Sequence, residues 1–321
     1  MTQNFQNFRL TMWLDTSVLI LLWYALSSLS NATCKILLAE YGILPITMTV
    51  LDLIPAFCIA VMDRRAVVSL IYTKYHKISL IALSGLLASY LHRVALSVAH
   101  LSTVHAVKAV QPIFSAILCS ICFSESFSYE IVGSLLAIVV GVVMSTYRAS
   151  TDIASISEDF RLYGICSAVI STFFLATSSV LSRRIATKKN VTQNTLYSAS
   201  RLLCIPIAVP VWTLFTDGFV SSTVKQSSWS FSVTLLVYLL ATLGQQLVSL
   251  ATLVRLSAVS HAVLSSLKRV CVIIVAIVCF GNKISSFNAL GICIAAFGAW
   301  RFSVTRIQTK VVLEEEASLI S

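Results

Sequence analysis

The hydrophobic positions of this chain form long runs that end at charged and turn-forming residues. A helix needs about 20 mostly apolar residues to cross a lipid bilayer. Dividing the chain at its charges and turns predicts an all-α integral membrane protein with ten transmembrane helices. The predicted spans are 16–38, 44–62, 77–99, 102–124, 129–147, 162–182, 195–215, 230–253, 258–280 and 286–304.

The two halves of the chain resemble each other. Residues 101–146 and 256–303 both contain Leu-Ser, His-Ala-Val, a lysine and Cys-Phe, followed by a helix with spaced small residues. Each half then holds five spans, and an odd number inverts the second half in the membrane. Such inverted repeats are typical of secondary transporters, whose site lies between the halves. The predicted organisation is a first repeat at 1–147, a linker at 148–160, a second repeat at 161–304 and a cytosolic tail at 305–321.

Small residues recur every fourth position in the last span of each repeat. They are Gly133, Ala137 and Gly141 in one span, and Gly291, Ala295 and Ala299 in the other. Small residues at this spacing let two helices approach closely. The pattern fits packing within the chain, and it also fits the face of a homodimer.

Basic residues predict the orientation, because lysine and arginine concentrate in cytosolic loops. With both termini in the cytosol, thirteen basic residues lie on the cytosolic side and five on the opposite side. The first span lacks a small-residue cleavage site, so we expect no removed signal peptide. The segment before it is too short for a convincing organelle transit peptide.

Composition supports a membrane protein and excludes other classes. Hydrophobic residues make up 57% of the chain and charged residues 11%, against about 45–50% and 25% in soluble domains. Mean hydropathy is +0.89. We expect membrane lipid around the chain and no nucleic-acid partner, although the net charge is +10. The nine cysteines lie in apolar stretches, so we interpret them as packing residues and expect neither a metal site nor a cofactor.

Five cations remain in or near the predicted spans, against one acid, Asp52. The cations are Arg93, Lys108, Arg201, Lys268 and Arg269. Each costs about 2.5–3.5 kcal/mol at a helix centre, so either water fills a cavity or an anionic ligand is bound. Arg201 lies near a cytosolic span end, which favours a side chain that reaches the interface. Asp52 either pairs with a cation, which we favour, or carries a proton.

Helical spacing groups these charges with other polar residues. His261 and Ser265 share a stripe with Lys268 and Arg269, and His105 lies three residues before Lys108. His92 and Arg93 lie on the third span, and Gln245 lies on a polar stripe of the eighth. Pro112 frees the backbone carbonyl of Lys108, four residues earlier. Adjacent Lys268 and Arg269 predict a bound anion, because arginine can hold phosphate with two hydrogen bonds. The two histidines, His105 and His261, either donate hydrogen bonds or pack.

Two segments carry a family resemblance. Residues 102–112 (STVHAVKAVQP) resemble the triose-phosphate translocator signature of the fourth span, and 260–270 with 288–291 resemble the matching signature of the ninth. The chain is therefore similar to the drug/metabolite transporter superfamily, in its sugar-phosphate and nucleotide-sugar branch. It most resembles solute carrier family 35, subfamily E. The resemblance implies that Lys108, Lys268 and Arg269 hold a substrate phosphate.

The chain differs from that family at positions that contact the part of the substrate beyond the phosphate. The translocators have a histidine and a threonine in the third span, where this chain has Ser89 and His92. They have a substrate-contacting tyrosine in the eighth, where this chain has Gln245. A plastid triose-phosphate exchanger is therefore not expected, and the resemblance implies a Golgi or ER protein.

The predicted function is antiport of a phosphorylated organic anion, a sugar phosphate or nucleotide sugar, by alternating access. The counter-anion would be phosphate or a nucleotide monophosphate. Site predictions are Lys108, Lys268, Arg269, His105, His261, Gln245, His92 and Arg93. A non-transporting scaffold or trafficking protein is the alternative, but it does not explain intramembrane cations. An enzyme is not expected, because the spans hold no paired carboxylates, metal-ligand cluster or nucleophile–base pair.

Overall fold

A computed structural model describes residues 2–62, 64–123, 128–146, 158–189, 191–215, 229–255, 258–280 and 285–320, in which every regular element is a helix. The helices are α1 (Thr2–Ala39), α2 (Pro45–Leu51), α3 (Leu53–Met62), α4 (Arg64–Val98), α5 (Leu101–Val107), α6 (Gln111–Phe123), α7 (Tyr129–Thr146), α8 (Glu158–Lys189), α9 (Gln193–Leu202), α10 (Ile205–Phe215), α11 (Trp229–Arg255), α12 (Ala258–Phe280) and α13 (Ser286–Ile320). One 3₁₀ turn, Lys108–Val110, joins α5 to α6.

Long apolar helices identify a membrane protein. Within the described ranges, six helical segments are long and apolar enough to cross a bilayer, and three shorter apolar segments accompany them. Hydrophobic side chains such as Leu21, Leu136 and Val278 are exposed on the bundle, where lipid would cover them. The predicted helical membrane class is confirmed, whereas ten crossings and the inverted repeat stay predictions.

Several helices extend beyond the predicted spans. Helix α4 begins at Arg64, and its backbone leaves helical geometry at Lys74, shortly before the predicted span begins. Helix α13 continues through the predicted tail to Ile320. Of the predicted linker, residues 158–160 belong to α8, and 148–157 lie outside the described residues.

Two helix breaks have the same cause. Helix α2 ends at Leu51, and Asp52 lies between it and α3. Helix α9 ends at Leu202, and α10 begins three residues later. Pro55 and Pro206 each lie four residues after the last residue of the preceding helix. A proline has no N–H and its ring clashes with the carbonyl four residues earlier, so the helix is interrupted there.

Helices α7 and α13 pack closely against each other through their small residues. A β-carbon on Gly141 would lie 2.3 Å from the backbone nitrogen of Ala295, and one on Gly291 would lie 2.5 Å from that of Ser145. A β-carbon on Gly133 would have nothing within 4 Å. The predicted close approach within the chain is confirmed for Gly141 and Gly291, and the homodimer stays a prediction.

The other helix pairs surround the middle of the bundle. Helix α4 packs against α8 and α9, α1 packs against α11 and α12, and α5 packs against α12. Tyr41, two residues after the end of α1, approaches Ser230 on α11, with 2.8 Å between the hydroxyl oxygens. Ser171 on α8 donates to the backbone carbonyl of Ala88 on α4 at 2.8 Å. These contacts leave a central space between α1, α4, α9, α11 and α12.

Candidate functional site

A polar cavity of about 400 Å³ lies at the centre of the bundle. At roughly 30 Å³ per liquid water molecule, it has room for about 13 waters. Its polar lining consists of Ser27, Ser30, Asn31, Asp52, His92, Arg93, His105, Lys108, Gln111, Tyr197, Arg201, Tyr238, Thr242, Gln245, Gln246, Ser265, Lys268 and Arg269. It therefore includes seven of the eight predicted site residues. The eighth, His261, is on α12, and its side chain lies outside the described part of the chain.

The helix break at Lys108 binds an arginine of the other half. The backbone changes to a 3₁₀ turn there, as the position of Pro112 requires. Arg269 donates from Nη1 to the Lys108 carbonyl oxygen at 2.5 Å and from Nη2 to Oε1 of Gln111 at 2.5 Å. The Lys108 carbonyl thus accepts from a guanidinium as well as from the Gln111 backbone N–H of the 3₁₀ turn, and the guanidinium contact fixes α12 against the broken helix.

The Lys108 ammonium contacts a histidine. Its Nζ lies 3.0 Å from Nε2 of His92. Because a lysine ammonium only donates, Nε2 accepts and the His92 ring is neutral, with its proton on Nδ1. That Nδ1 is buried and has no hydrogen-bond partner in the structure. Lys108 is thus held by a neutral group, which leaves its charge uncompensated.

His105 donates a hydrogen bond. Its Nε2 lies 3.1 Å from Oδ1 of Asn31, which can only accept. Asn31 Nδ2 in turn donates to the backbone carbonyl of Ser27 at 2.7 Å. The rings of His105 and His92 meet edge to face with centroids 6.0 Å apart. Of the two roles that the sequence left open for His105, hydrogen bonding is the one observed.

Lys268 lies over an aromatic ring. Its Nζ is 4.6 Å from the ring centroid of buried Trp23, a cation–π contact worth about 0.5–2 kcal/mol. The neighbouring Tyr24 hydroxyl donates to the Leu264 carbonyl at 2.6 Å, which ties α1 to α12. Lys268, too, therefore contacts a neutral group.

Asp52 neutralises Arg93. The helix break places its carboxylate against the guanidinium in an ion pair. The Tyr238 hydroxyl donates to the same carboxylate and accepts from Arg93 Nη2, the latter at 3.1 Å. The expected pairing of Asp52 with a cation is confirmed. Lys108, Lys268 and Arg269 also line the cavity, and in the part of the chain that the structure describes none of them lies within ion-pair distance of an acid.

Arg201 also lines the cavity, contrary to the expectation that its side chain reaches the membrane interface. Its Nη1 donates to Ser89 Oγ at 2.9 Å, and its guanidinium carbon lies 5.6 Å from the Tyr197 ring centroid. Position along a span alone therefore did not predict that Arg201 lines the cavity.

Helix α11 supplies the polar residues that the sequence only partly identified. Gln245 lines the cavity, and its buried Oε1 has no hydrogen-bond partner in the structure. Thr242 pairs with Ser30 of α1, with 2.7 Å between their hydroxyl oxygens. Tyr238 was missed, although it lies four residues before Thr242 on the same helical stripe.

The arrangement is suited to binding an anion. Three uncompensated cations contact a histidine nitrogen, an indole ring, a carbonyl and an amide oxygen, all of them neutral. A phosphate would supply the counter-charge that none of these neutral partners provides, and its oxygens could accept from the arginine fork and the lysines. The cavity has the volume and the charge for a small phosphorylated molecule.

Comparison with known proteins shows a family. Residues 14–303 match the model of the Triose-phosphate Transporter family. The chain is 28% identical to phosphoenolpyruvate/phosphate translocator 1, chloroplastic, of Arabidopsis thaliana, over 92% of this chain and 72% of that protein. It is 28% identical to a non-green plastid triose phosphate/phosphate translocator of Brassica oleracea var. botrytis, over 94% of this chain and 76% of that protein.

A further relative and a solved structure complete the comparison. The chain is 29% identical to the chloroplastic triose phosphate/phosphate translocator of Brassica oleracea var. botrytis, over 95% of this chain and 74% of that protein. A crystal structure aligns over 94% of this chain and 98% of its own, with a TM-score of 0.50 and 16% identity. That likeness concerns the fold alone.

Proposed function

This chain belongs to the Triose-phosphate Transporter family, and on that premise we propose that it is a secondary transporter that exchanges phosphorylated organic anions by alternating access. One observation carries the proposal: Lys108, Lys268 and Arg269 line one cavity without an acid partner among the described residues. The relatives named above as phosphate translocators support it. The same cavity contains one carboxylate, Asp52, which fits a transporter better than an enzyme.

The phosphate is held, in this proposal, by Lys108, Lys268 and Arg269. Arg269 supplies the planar fork and the lysines supply point charges. His92, His105, His261 and Gln245 read the remainder of the solute, while Arg93 is fixed beside it by Asp52. The partnerless oxygen of Gln245 supports its role, because a solute hydroxyl could donate to it.

We propose that the chain crosses the membrane ten times as two inverted repeats. The packing supports this symmetry. Helix α4, in the third predicted span, packs on α8, in the sixth. Helix α11, in the eighth span, packs on α1, in the first, and these are the equivalent spans when the two repeats are exchanged. The same exchange relates the pair α6–α8 to the pair α12–α1. It also relates the pair α5–α7 to the pair α12–α13. Such repeats rock around a shared central site, and both repeats contribute to the charged cavity.

The carried solute is proposed to be a sugar phosphate or nucleotide sugar in the Golgi or ER, exchanged for phosphate or a nucleotide monophosphate. The relatives are named as chloroplastic proteins, but Gln245 stands where the resemblance implies a tyrosine. The proposed phosphate-binding residues are kept, while a residue proposed to contact the rest of the solute differs, and this supports a different solute. A non-transporting scaffold would explain neither the family membership nor the cations in the cavity. We also propose that membrane lipid surrounds the protein and that it forms a homodimer.

A substrate panel tests the proposed function. Purified protein in liposomes preloaded with phosphate would be offered phosphate, phosphoenolpyruvate, triose phosphate, pentose phosphate and UDP- or GDP-sugars. We expect trans-stimulated uptake of at least one, and Gln245→Tyr should change the order of preference among them. If no anion is taken up, the scaffold alternative is favoured.

The orientation predicts an unglycosylated sequon. Asn190-Val191-Thr192 matches the acceptor motif, and the proposed topology puts it in the cytosol. Asn190 itself lies outside the described residues, after the end of α8. We expect the protein expressed in secretory membranes to show no glycosidase-sensitive shift. A shift that disappears in Asn190→Gln would mean that the orientation is inverted.

The end of the chain resembles a sorting signal. Glu315 precedes the pair Leu319-Ile320 by four residues, a spacing similar to that of acidic dileucine motifs. Replacing both Leu319 and Ile320 with alanine should move the protein to another compartment of the endomembrane system. Fluorescence microscopy of the tagged full chain measures this, with Leu313→Ala as the control. An unchanged distribution would mean that Leu319 and Ile320 are not part of a sorting signal.

A further inference from the structure

A second pocket of about 280 Å³ adjoins the central cavity. Helices α4, α8 and α9 enclose it, and it shares Leu175, Tyr197 and Arg201 with the cavity. The two spaces therefore meet at the Arg201 side chain. At roughly 30 Å³ per water, the pocket accepts about nine water-sized atoms, enough for several carbons with their hydroxyls beyond a phosphate bound in the cavity.

The walls of the pocket carry hydroxyl groups. Ser178, Ser179, Ser182 and Ser200 line it together with Arg201. Ser179 and Ser200 each donate to a backbone carbonyl of their own helix at 2.8 Å. Their oxygens still accept hydrogen bonds, so the wall can receive hydroxyl protons from a polyol chain.

Arg201 is the charge of this pocket. Ser89 occupies one of its nitrogens, and Tyr197 lies against the guanidinium plane. A guanidinium has five N–H donors, and neither contact supplies a negative charge. No acid lies within ion-pair distance of Arg201 in the described ranges. The phosphate proposed for Lys108, Lys268 and Arg269 is held elsewhere in the cavity, so Arg201 is available for another anionic group.

We propose that this pocket is a second subsite, in which Arg201 binds a second anionic group at the far end of the phosphorylated solute. The inference rests on the proposed transport function and narrows it to a class: linear, polyhydroxylated solutes with a phosphate at one end and a carboxylate or second phosphate at the other. The serine wall accepts the hydroxyls between the two ends.

A matched pair of solutes tests the subsite. 6-Phosphogluconate and sorbitol 6-phosphate are both linear, with six carbons and one phosphate, but only the former has a terminal carboxylate. Each would compete with labelled phosphate in phosphate/phosphate exchange by the full chain in liposomes. We expect 6-phosphogluconate to inhibit about tenfold more strongly, the equivalent of one charge-assisted interaction. In Arg201→Gln this ratio should fall to about one.

A second variant acts through volume. A β-carbon on Gly85 would lie 3.4 Å from Ser178 Oγ, so a larger side chain there projects into the pocket. Gly85→Val should therefore lower the ratio as well. Gly133→Val is the matched control, because a β-carbon there meets nothing within 4 Å, and it should keep the wild-type ratio. An exposed arginine variant, Arg184→Gln, controls for loss of charge.

The outcomes separate the subsite from the transport function. Equal inhibition by the two solutes in the wild type, or a tenfold ratio that survives Arg201→Gln, overturns the subsite. If the wild type exchanges no phosphate, the proposed function fails. The subsite is then judged by thermal unfolding in detergent, since a bound ligand stabilises the folded protein. Stronger stabilisation by 6-phosphogluconate than by sorbitol 6-phosphate, lost in Arg201→Gln, supports the subsite, and equal stabilisation overturns it.

Discussion

Replacing Arg269 with alanine is expected to reduce anion exchange at least ~100-fold. The guanidinium is the one group of the proposed phosphate site that offers a planar pair of donors. Hydrogen bonds to charged groups contribute about 1.5–3 kcal/mol each, and two of them are removed. The substitution also removes one of the two hydrogen bonds that the Lys108 carbonyl accepts, the other coming from the Gln111 backbone N–H. Lys268→Ala should cause a similar loss by removing a point charge.

Arg269→Lys separates charge from shape. A lysine keeps the positive charge but lacks the planar pair of donors. It therefore cannot bind phosphate bidentately, nor donate to the Lys108 carbonyl and to Gln111 in the fork geometry of Arg269. We expect an impairment of about tenfold, between wild type and Arg269→Ala. Exchange is measured as labelled phosphate uptake into phosphate-loaded liposomes, with Lys77→Gln as an exposed control. Monodisperse Arg269→Ala protein with wild-type exchange would contradict the assigned site.

Gly141→Leu is expected to disrupt the contact between α7 and α13. The first added carbon would lie 2.3 Å from the Ala295 nitrogen and 2.6 Å from the Gly291 carbonyl oxygen. Both are backbone atoms, so rotation of a side chain cannot relieve the clash. Overpacking typically costs about 1–3 kcal/mol, and a clash between two helix backbones should reach or exceed the upper end.

Thermal unfolding in detergent measures this effect. We expect Gly141→Leu to lower the midpoint strongly or to prevent recovery of folded protein, with Gly141→Ala intermediate. Gly133→Leu, on the same helix with open space around its β-carbon, should unfold near the wild-type midpoint. Equal midpoints for the leucine variants at 133 and 141 would contradict close packing of α7 on α13.

Local rules predicted much of the site. Helical spacing placed the cations of α12 and α4 on stripes that line the cavity. The proline rule predicted the helix break at Lys108, but the carbonyl there is not free, because it accepts from the Gln111 backbone N–H in the 3₁₀ turn. The same rule applies to Pro55 and Pro206, whose helix breaks it would also have predicted. Asp52 then follows as a residue at a break, where a polar group can turn toward the bundle interior.

Partners across helices could not be predicted in the same way. That Arg269 binds the Lys108 carbonyl, or that Lys268 lies over Trp23, depends on how α12 meets α5 and α1. The depth of Arg201 depends likewise on the turn between α9 and α10. The four-residue spacing of small residues also included Gly133, which faces open space. Spacing identifies the helix face that carries the small residues, but not how far along that face the neighbouring helix stays in contact.

The charges of the empty site explain why exchange should be obligatory. Two unit positive charges about 6 Å apart repel by roughly 3 kcal/mol at an effective dielectric near 20. Three such cations give three terms of this size as closure expels water. The neutral partners offset little of this, since the Trp23 contact with Lys268 is worth about 0.5–2 kcal/mol. A doubly charged phosphate reverses the sign, so the loaded carrier should change conformation readily and the empty one slowly.

Uptake into loaded and empty vesicles tests the central claim most directly. Labelled phosphate would be offered to liposomes that contain the full chain, with phosphate inside or with no internal anion that the protein carries. Obligatory exchange predicts rapid uptake into the loaded vesicles and little above protein-free liposomes into the empty ones. Equally fast uptake into both would contradict obligatory exchange through the Lys108, Lys268 and Arg269 site.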